Sequence, residues 1–256
     1  MVVSNDRGAY ELNELSWWSR WAELTWLGKD IYLLASRDFD EYFFNRAGFV
    51  RIPPDAQKSL ASIEHEFEKR GRRPYIFVRQ DRNQPRLLRA LADGRYRIAD
   101  QMAVMQIETP SFVVNSEVQV EIGAKGRLEE WVAVYLRSFY GEESKQKQVE
   151  GVLREAPGTK ETTLMLARLG DRPVGCLALF RSGALCGVYC VGTDPDFRRR
   201  NVASTMLDQS RRLAASEGRR LFLQTILSDS LQRFYTKLGF ETLYVKDMFV
   251  KDMGLS

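Results

Sequence analysis

The chain has 256 residues, 44% hydrophobic and 28% charged, enough to bury the core of one large domain or two small ones. Its 38 basic and 34 acidic side chains leave a net charge of +4, and no long Lys/Arg run is interleaved with aromatics, which argues against a nucleic-acid partner. The opening "MVVSNDRGAYELNELSWW" lacks the basic-then-apolar order of a secretory signal, and no apolar run approaches the ~20 residues of a membrane span, so a cytoplasmic protein without a membrane partner is expected.

In chain order, "LSWWSRWAELTWL" (15–27) reads as an aromatic helix, "DIYLLAS" (30–36) as a strand, "DFDEYFFNRA" (38–47) as a short helix and "GFVRI" (48–52) as a strand. "RIPPDAQ" is a loop signal. A helix over 57–70, the strand "PYIFVRQ", a helix over 85–92 and the strand "RYRIADQMAVMQIE" follow. "TPSFVVNSE" (109–117) marks a boundary near residue 115, dividing the chain into domains 1–115 and 116–256.

The second half alternates more regularly. "VQVEI" is a strand, 127–140 an amphipathic helix, and "GEESKQKQVEGVLREA" a more polar one. Three strands come next, "TTLMLARLG", "PVGCLALFR" and "ALCGVYCVGT", the first two joined by the turn "GDRP". Val202, Ala203, Met206, Leu207, Leu213 and Ala214 form a helical stripe that stops before Gly218. The strand "LFLQTI" follows, then a short helix with Leu231, Phe234, Tyr235 and Leu238. Gly239 stops that helix, and a last strand begins at Phe240.

Few side chains invite chemistry by composition alone. Cys176, Cys186 and Cys190 have neither zinc-ribbon spacing nor a neighbouring histidine, and read as structural thiols. The single histidine, His65, lies in the charged stretch "SIEHEFEKR", so no triad or metal site is expected. More pointed is "DPDFRRRNVASTML" (194–207), where Arg198, Arg199 and Arg200 immediately precede a helix N-terminus. Uncapped N–H groups and the helix dipole at that end suit an anion. A solvated basic turn is the competing reading.

"VGTDPDFRRRNVAS" and "SDSLQRFYTKLGFE" together resemble the GNAT family of acyl-CoA-dependent N-acyltransferases, over about 117–256 and in the family's element order. The resemblance implies an α/β (α+β) GNAT fold with a mixed, mostly antiparallel sheet flanked by helices. It also implies acetyl-CoA as cosubstrate, no metal, and a small-molecule or peptide amine as acceptor. The backbone of Val191, Gly192 and Thr193 would pair with the pantetheine arm. The turn of Arg198, Arg199, Arg200, Asn201, Val202, Ala203 and Ser204 would hold the pyrophosphate. Asn201 departs from the family's usual glycine, and Asn tolerates unusual backbone angles better than most residues. In the second motif Ser228 stands where Asn is usual, as a cofactor-binding position, and Tyr235 matches the general acid that protonates the departing thiolate.

The base is unassigned. Gln224 stands where an acid is expected, leaving Glu142, Glu143 and Asp194 acting through water. A non-catalytic acyl-CoA sensor is the alternative function. A gap-free pairing of 30–49 with 221–240 sets Asp38 on Asp229, Phe43 on Phe234, Phe44 on Tyr235, Arg46 on Lys237, Gly48 on Gly239 and Phe49 on Phe240. It suggests a degenerate GNAT-like N-terminal half. That half would wall the acceptor cleft or make a homodimer.

Overall fold

The computed structural model describes residues 7–123, 126–141, 145–154 and 159–251. In chain order the elements are α1 (Arg7–Trp18), β1 (Glu23–Leu27), β2 (Ile31–Ala35), β3 (Arg46–Phe49), α2 (Ala56–Glu68), β4 (Tyr75–Arg79), α3 (Pro85–Asp93) and β5 (Tyr96–Ile107). The series continues with β6 (Val118–Ile122), α4 (Leu128–Phe139), α5 (Gln146–Leu153), β7 (Thr162–Leu169), β8 (Arg172–Ser182) and β9 (Leu185–Thr193). It ends with α6 (Val202–Ser216), β10 (Arg220–Ile226), α7 (Gln232–Lys237) and β11 (Phe240–Lys251). This is the expected mixed α+β architecture, with antiparallel pairs in the majority.

The chain forms two compact units. One holds residues up to Val104 with Thr225–Gln232 and everything from Thr242. The other holds Met105–Gln224 and Arg233–Glu241. The first therefore takes most of the last strand.

In the first unit the strand order is β1-β2-β3-β4-β11-β5. β1 with β2, β2 with β3, and β4 with β11 pair antiparallel, whereas β3 and β4 are parallel and joined through α2. α2 turns Leu60, Ile63 and Phe67 onto Ile31, Leu33, Ile76 and Val78. Trp17, Trp18 and Trp21 gather against Phe39 and Phe44, with Phe43 stacked on Trp18 at 5.0 Å between ring centroids. These are core aromatics, although the helix that begins this segment ends at Trp18. β-branched and aromatic residues carry the remainder as strand β1.

The second unit has the strand order β10-β9-β8-β7-β6. All its pairs are antiparallel except β9 with β10. α4 lays Trp131, Val132, Tyr135 and Leu136 inward, and the Trp131 indole donates to the Leu177 carbonyl at 3.2 Å.

The element order β-β-β-α-β-α-β occurs twice, as β1 to β5 and as β7 to β11. In both runs two antiparallel pairs lead to a parallel pair closed by a helix. This corrects the pairing of 30–49 with 221–240. Topology matches β2 with β8 rather than with β10, and β4 with β10. The stretch 38–45 forms turns instead of a helix, because Asn45 takes up the chain there: its amide accepts from Ser36 N at 3.1 Å and donates to Phe39 O at 2.6 Å. Gly48 is no helix stop either. It lies inside β3, where the Tyr32 ring occupies the space a Cβ would need.

One buried charge cluster ties the first unit together. Glu14 of α1 accepts from Arg46 of β3 at 2.6 Å and from Lys246 of β11, and all three side chains are almost fully buried. Burial pushes the Glu14 carboxyl up, but the charges of Lys246 and Arg46 outweigh it and hold the group below its ordinary value. A depressed carboxylate stabilises above its unfolded pKa, and that stability is lost as pH falls through the folded pKa. Glu14→Gln should cost about 3–5 kcal/mol at pH 7, because the buried Arg46 loses its counter-charge and Lys246 is left with Glu11 at 3.3 Å. Urea unfolding at several pH values checks this, and the variant's deficit should shrink as the parent loses stability below pH ~4.3.

Candidate functional site

In the second unit the parallel pairing of β9 with β10 runs from Leu185↔Arg220 to Val188↔Leu223. It stops there, while β9 continues to Thr193. Against β8 the register then slips: Ala178 faces Tyr189 and Cys176 faces Gly192, so Cys190 and Val191 form a bulge. Cys190 takes a left-handed φ of 53°. The bulge bends β9 away just where β10 no longer holds it. Gly192 lies at the floor of the bend, where an added Cβ would sit 2.8 Å from both Cys176 Sγ and Ser138 Oγ.

β9 leads directly into a 3₁₀ turn, Pro195–Phe197. Asp194 caps that turn by accepting from Asp196 N at 3.2 Å, and it holds the Arg137 guanidinium at 2.8 Å. With its side chain only 3% exposed, Asp194 is a buried ion-pair partner of Arg137. Glu142 and Glu143 lie outside the described residues. Gln224 is half-buried on β10, one residue past the end of its pairing with β9, and its Nε2 finds no hydrogen-bond partner among the described residues.

The turn at 198–201 contains two left-handed non-glycine residues, Arg199 (φ 63°) and Asn201 (φ 58°). That conformation costs an ordinary L-residue roughly 1–2 kcal/mol, and least for Asn. Asn201 is the N-cap of α6 yet makes no side-chain cap bond. The first bond into the helix is Thr205 N to Asn201 O at 2.9 Å, so the N–H groups of Val202, Ala203 and Ser204 have no intrahelical partner. The Ser204 hydroxyl is buried and also lacks one among the described residues. All three arginines are exposed. Arg198 donates to the Ser138 carbonyl at 3.3 Å, and Arg200 rests 5.2 Å from the Phe197 ring centroid.

The contrast with α2 is instructive. Asp55 caps that helix, its carboxylate accepting from Lys58 N at 2.9 Å. An anion is thus already built into the corresponding position of the first unit.

Tyr235 is buried on α7, with Phe234 and Phe240 at 5.2 and 6.0 Å between ring centroids. Gly239 follows with φ 93°, and the Thr109 carbonyl fills the space beside it. In the first unit α3 takes the place of α7 and carries no hydroxyl side chain. Ser228 belongs to the first unit. It lies on an exposed turn, where its hydroxyl donates to Asp100.

The stretch 109–117 is a strap across the second unit. Ser111 N donates to Leu238 O at 3.1 Å, at the end of α7. Asn115 bonds to Arg200 and Thr205, at the start of α6. Its Ser, Pro and Asn content resembles any linker, so sequence reading had no signal that it joins the two motifs.

Among the described residues no group of His, Cys, Asp and Glu could hold a metal ion, and no helix is long and apolar enough to cross a membrane. The three cysteines are free. Burial pushes the Cys186 thiol up to about 11 and raises those of Cys176 and Cys190 well above the ordinary value. With Ellman's reagent at pH 8, all three thiols should therefore react only slowly in the native protein and titrate fully on unfolding. Three thiols reacting rapidly in the native state would contradict this.

The family model described as "Acetyltransferase (GNAT) domain" matches residues 160–242, which span β7 to the start of β11. Among solved structures, a GCN5-related N-acetyltransferase from Kribbella flavida is similar at 18% identity and TM-score 0.67, with 96% of each chain covered. Another from Sphaerobacter thermophilus is similar at 15% identity and TM-score 0.69, with 89% of this chain and 82% of that one covered. No curated protein matches the sequence.

Proposed function

From a chain that carries a GNAT acetyltransferase domain over residues 160–242 and the GNAT fold over most of its length, we propose that the protein transfers an acetyl group from acetyl-CoA to the amine of a small molecule or peptide. One observation carries the reading. β9 loses its neighbour after Val188 and runs into a turn whose helix N–H groups remain uncapped. A pantetheine arm can pair with the open edge of Val191, Gly192 and Thr193 as an added strand does. The diphosphate then meets the N–H groups of Val202, Ala203 and Ser204 and the helix dipole. The exposed Arg198, Arg199 and Arg200 add positive charge around it.

The chemistry follows from direct attack. The amine adds to the thioester carbonyl, whose oxygen gains negative charge and is steadied by a backbone N–H near Val191. The tetrahedral intermediate collapses by breaking the C–S bond. Tyr235, protonated at neutral pH, gives its proton to the departing sulfur. The nitrogen loses its proton to water, and no residue is assigned as the base.

The first unit is read as a degenerate copy. Asp55 fills the anion position of α2, and α3 offers no hydroxyl. One CoA per chain is therefore expected, and native mass spectrometry at saturating CoA counts it; two per chain would refute the degenerate reading.

Ala203→Glu places a carboxylate against the pyrophosphate. Calorimetry with acetyl-CoA should show binding to the parent and none to the variant, and equal affinities would end this assignment of the turn.

Tyr235→Phe keeps the ring and its packing but removes the proton donor. Turnover should fall about 10²- to 10⁴-fold while acetyl-CoA affinity holds. Unchanged turnover at a chemistry-limited step would return Tyr235 to the role of core aromatic.

A further inference from the structure

The two left-handed residues of the anion turn need support, and the strap supplies it. The Asn115 side-chain amide donates to the Arg200 carbonyl at 3.1 Å. The Asn115 backbone N–H donates to Thr205 Oγ at 2.9 Å, and that hydroxyl passes its own proton to the Asn201 carbonyl at 2.8 Å. Asn115 is itself held, because its side-chain oxygen accepts from Glu117 N at 2.9 Å. Two successive carbonyls are thus pinned, that of Arg200 by the strap and that of Asn201 by Thr205 of α6.

A trans peptide group is planar, and its N–H points opposite to its C=O. No cis peptide occurs among the described residues. Fixing the Arg200 carbonyl therefore fixes the Asn201 N–H, and fixing the Asn201 carbonyl fixes the Val202 N–H. The Asn201 N–H therefore points away from the Asn115 amide, and the Val202 N–H points out of the start of α6. We infer that Asn115, acting with Thr205, is a positioning residue that presents the Asn201 and Val202 N–H groups to the diphosphate of acyl-CoA. The inference rests on the reading of the turn under Proposed function. Asn115 itself touches no ligand in this scheme. Its contribution is made in the free protein, by removing the turn's freedom to rotate these peptides before the anion arrives.

The test compares Asn115→Ala, Thr205→Val and Thr205→Ser with the parent. Thr205→Val keeps the side-chain shape and loses both bonds of the hydroxyl, whereas Thr205→Ser retains them. Two readouts apply, calorimetric affinity for acetyl-CoA and NMR backbone order parameters of 199–204 in the protein without ligand. Asn115→Ala and Thr205→Val should each bind about 5- to 10-fold more weakly, the scale of one or two lost hydrogen bonds. Both should also show lower order parameters across 199–204, with the rest of the unit unmoved. Thr205→Ser should match the parent in both. If Asn115→Ala lowers the melting point, the Thr205 pair carries the comparison. A parent that binds acetyl-CoA with variants that bind equally well overturns this inference alone. A parent that binds no acetyl-CoA overturns the reading of the turn and this inference with it.

Discussion

The second unit depends on the place where β9 parts from β10. Four residue pairs hold the two strands parallel, and then the pairing ends. A strand edge released in this way leaves backbone donors and acceptors that need partners. The bulge at Cys190 and Val191 turns the freed portion, and the next residues form the uncapped start of α6. An open strand edge and an anion-seeking helix end thus follow each other along one short run of chain. A ligand with an amide-bearing arm and a diphosphate matches that succession. The proposed chemistry follows from this juxtaposition more than from any single reactive side chain.

The two runs of β-β-β-α-β-α-β share one topology and differ at the helix that closes each parallel pair. α2 and α6 both close a parallel pair of strands. One begins at Asp55, whose carboxylate satisfies its own helix; the other begins at Asn201, which leaves its helix open. A single residue at the cap decides whether the helix end has any use for an external anion. The first unit invests instead in burial, with its tryptophan cluster and the Glu14–Arg46–Lys246 group. The latter joins α1, β3 and β11, elements distant in sequence. A buried charge group of this kind penalises any arrangement that separates its members.

The strap at 109–117 bears on both motifs. It reaches the end of α7 through Ser111 and the start of α6 through Asn115. Tyr235 and the anion turn, far apart along the chain, are referred to the same short segment. The carbonyls of Arg200 and Asn201, in a turn with left-handed backbone at Arg199 and Asn201, take hydrogen bonds from Asn115 and Thr205.

Local pattern was enough for much of this. Alternation and helical stripes placed most of the strands and helices, from α2 onward especially, because those elements bury one face and so write their period into the residues. The two motifs at 191–204 and 228–240 were legible because a tight turn and a helix stop restrict residue type directly. Where neighbours decided, local reading failed. The stretch 38–45 has helix-compatible residues, but Asn45 bonds across it and holds turns. Gly48 looks like a helix stop, yet it is a glycine because Tyr32 lies over it. The stretch 15–27 divides into helix and strand at a point that aromatic content does not mark. The true repeat escaped a gap-free pairing because topology, not side-chain identity, is what the two units share. The strap's role lies in bonds from Asn115 to Arg200 and Thr205, across a sequence separation that no periodicity records. Residue type thus determined the elements and the motif chemistry. Only the tertiary structure decided which backbone groups were left unpaired and what held them in place, since both depend on hydrogen bonds between segments remote along the chain.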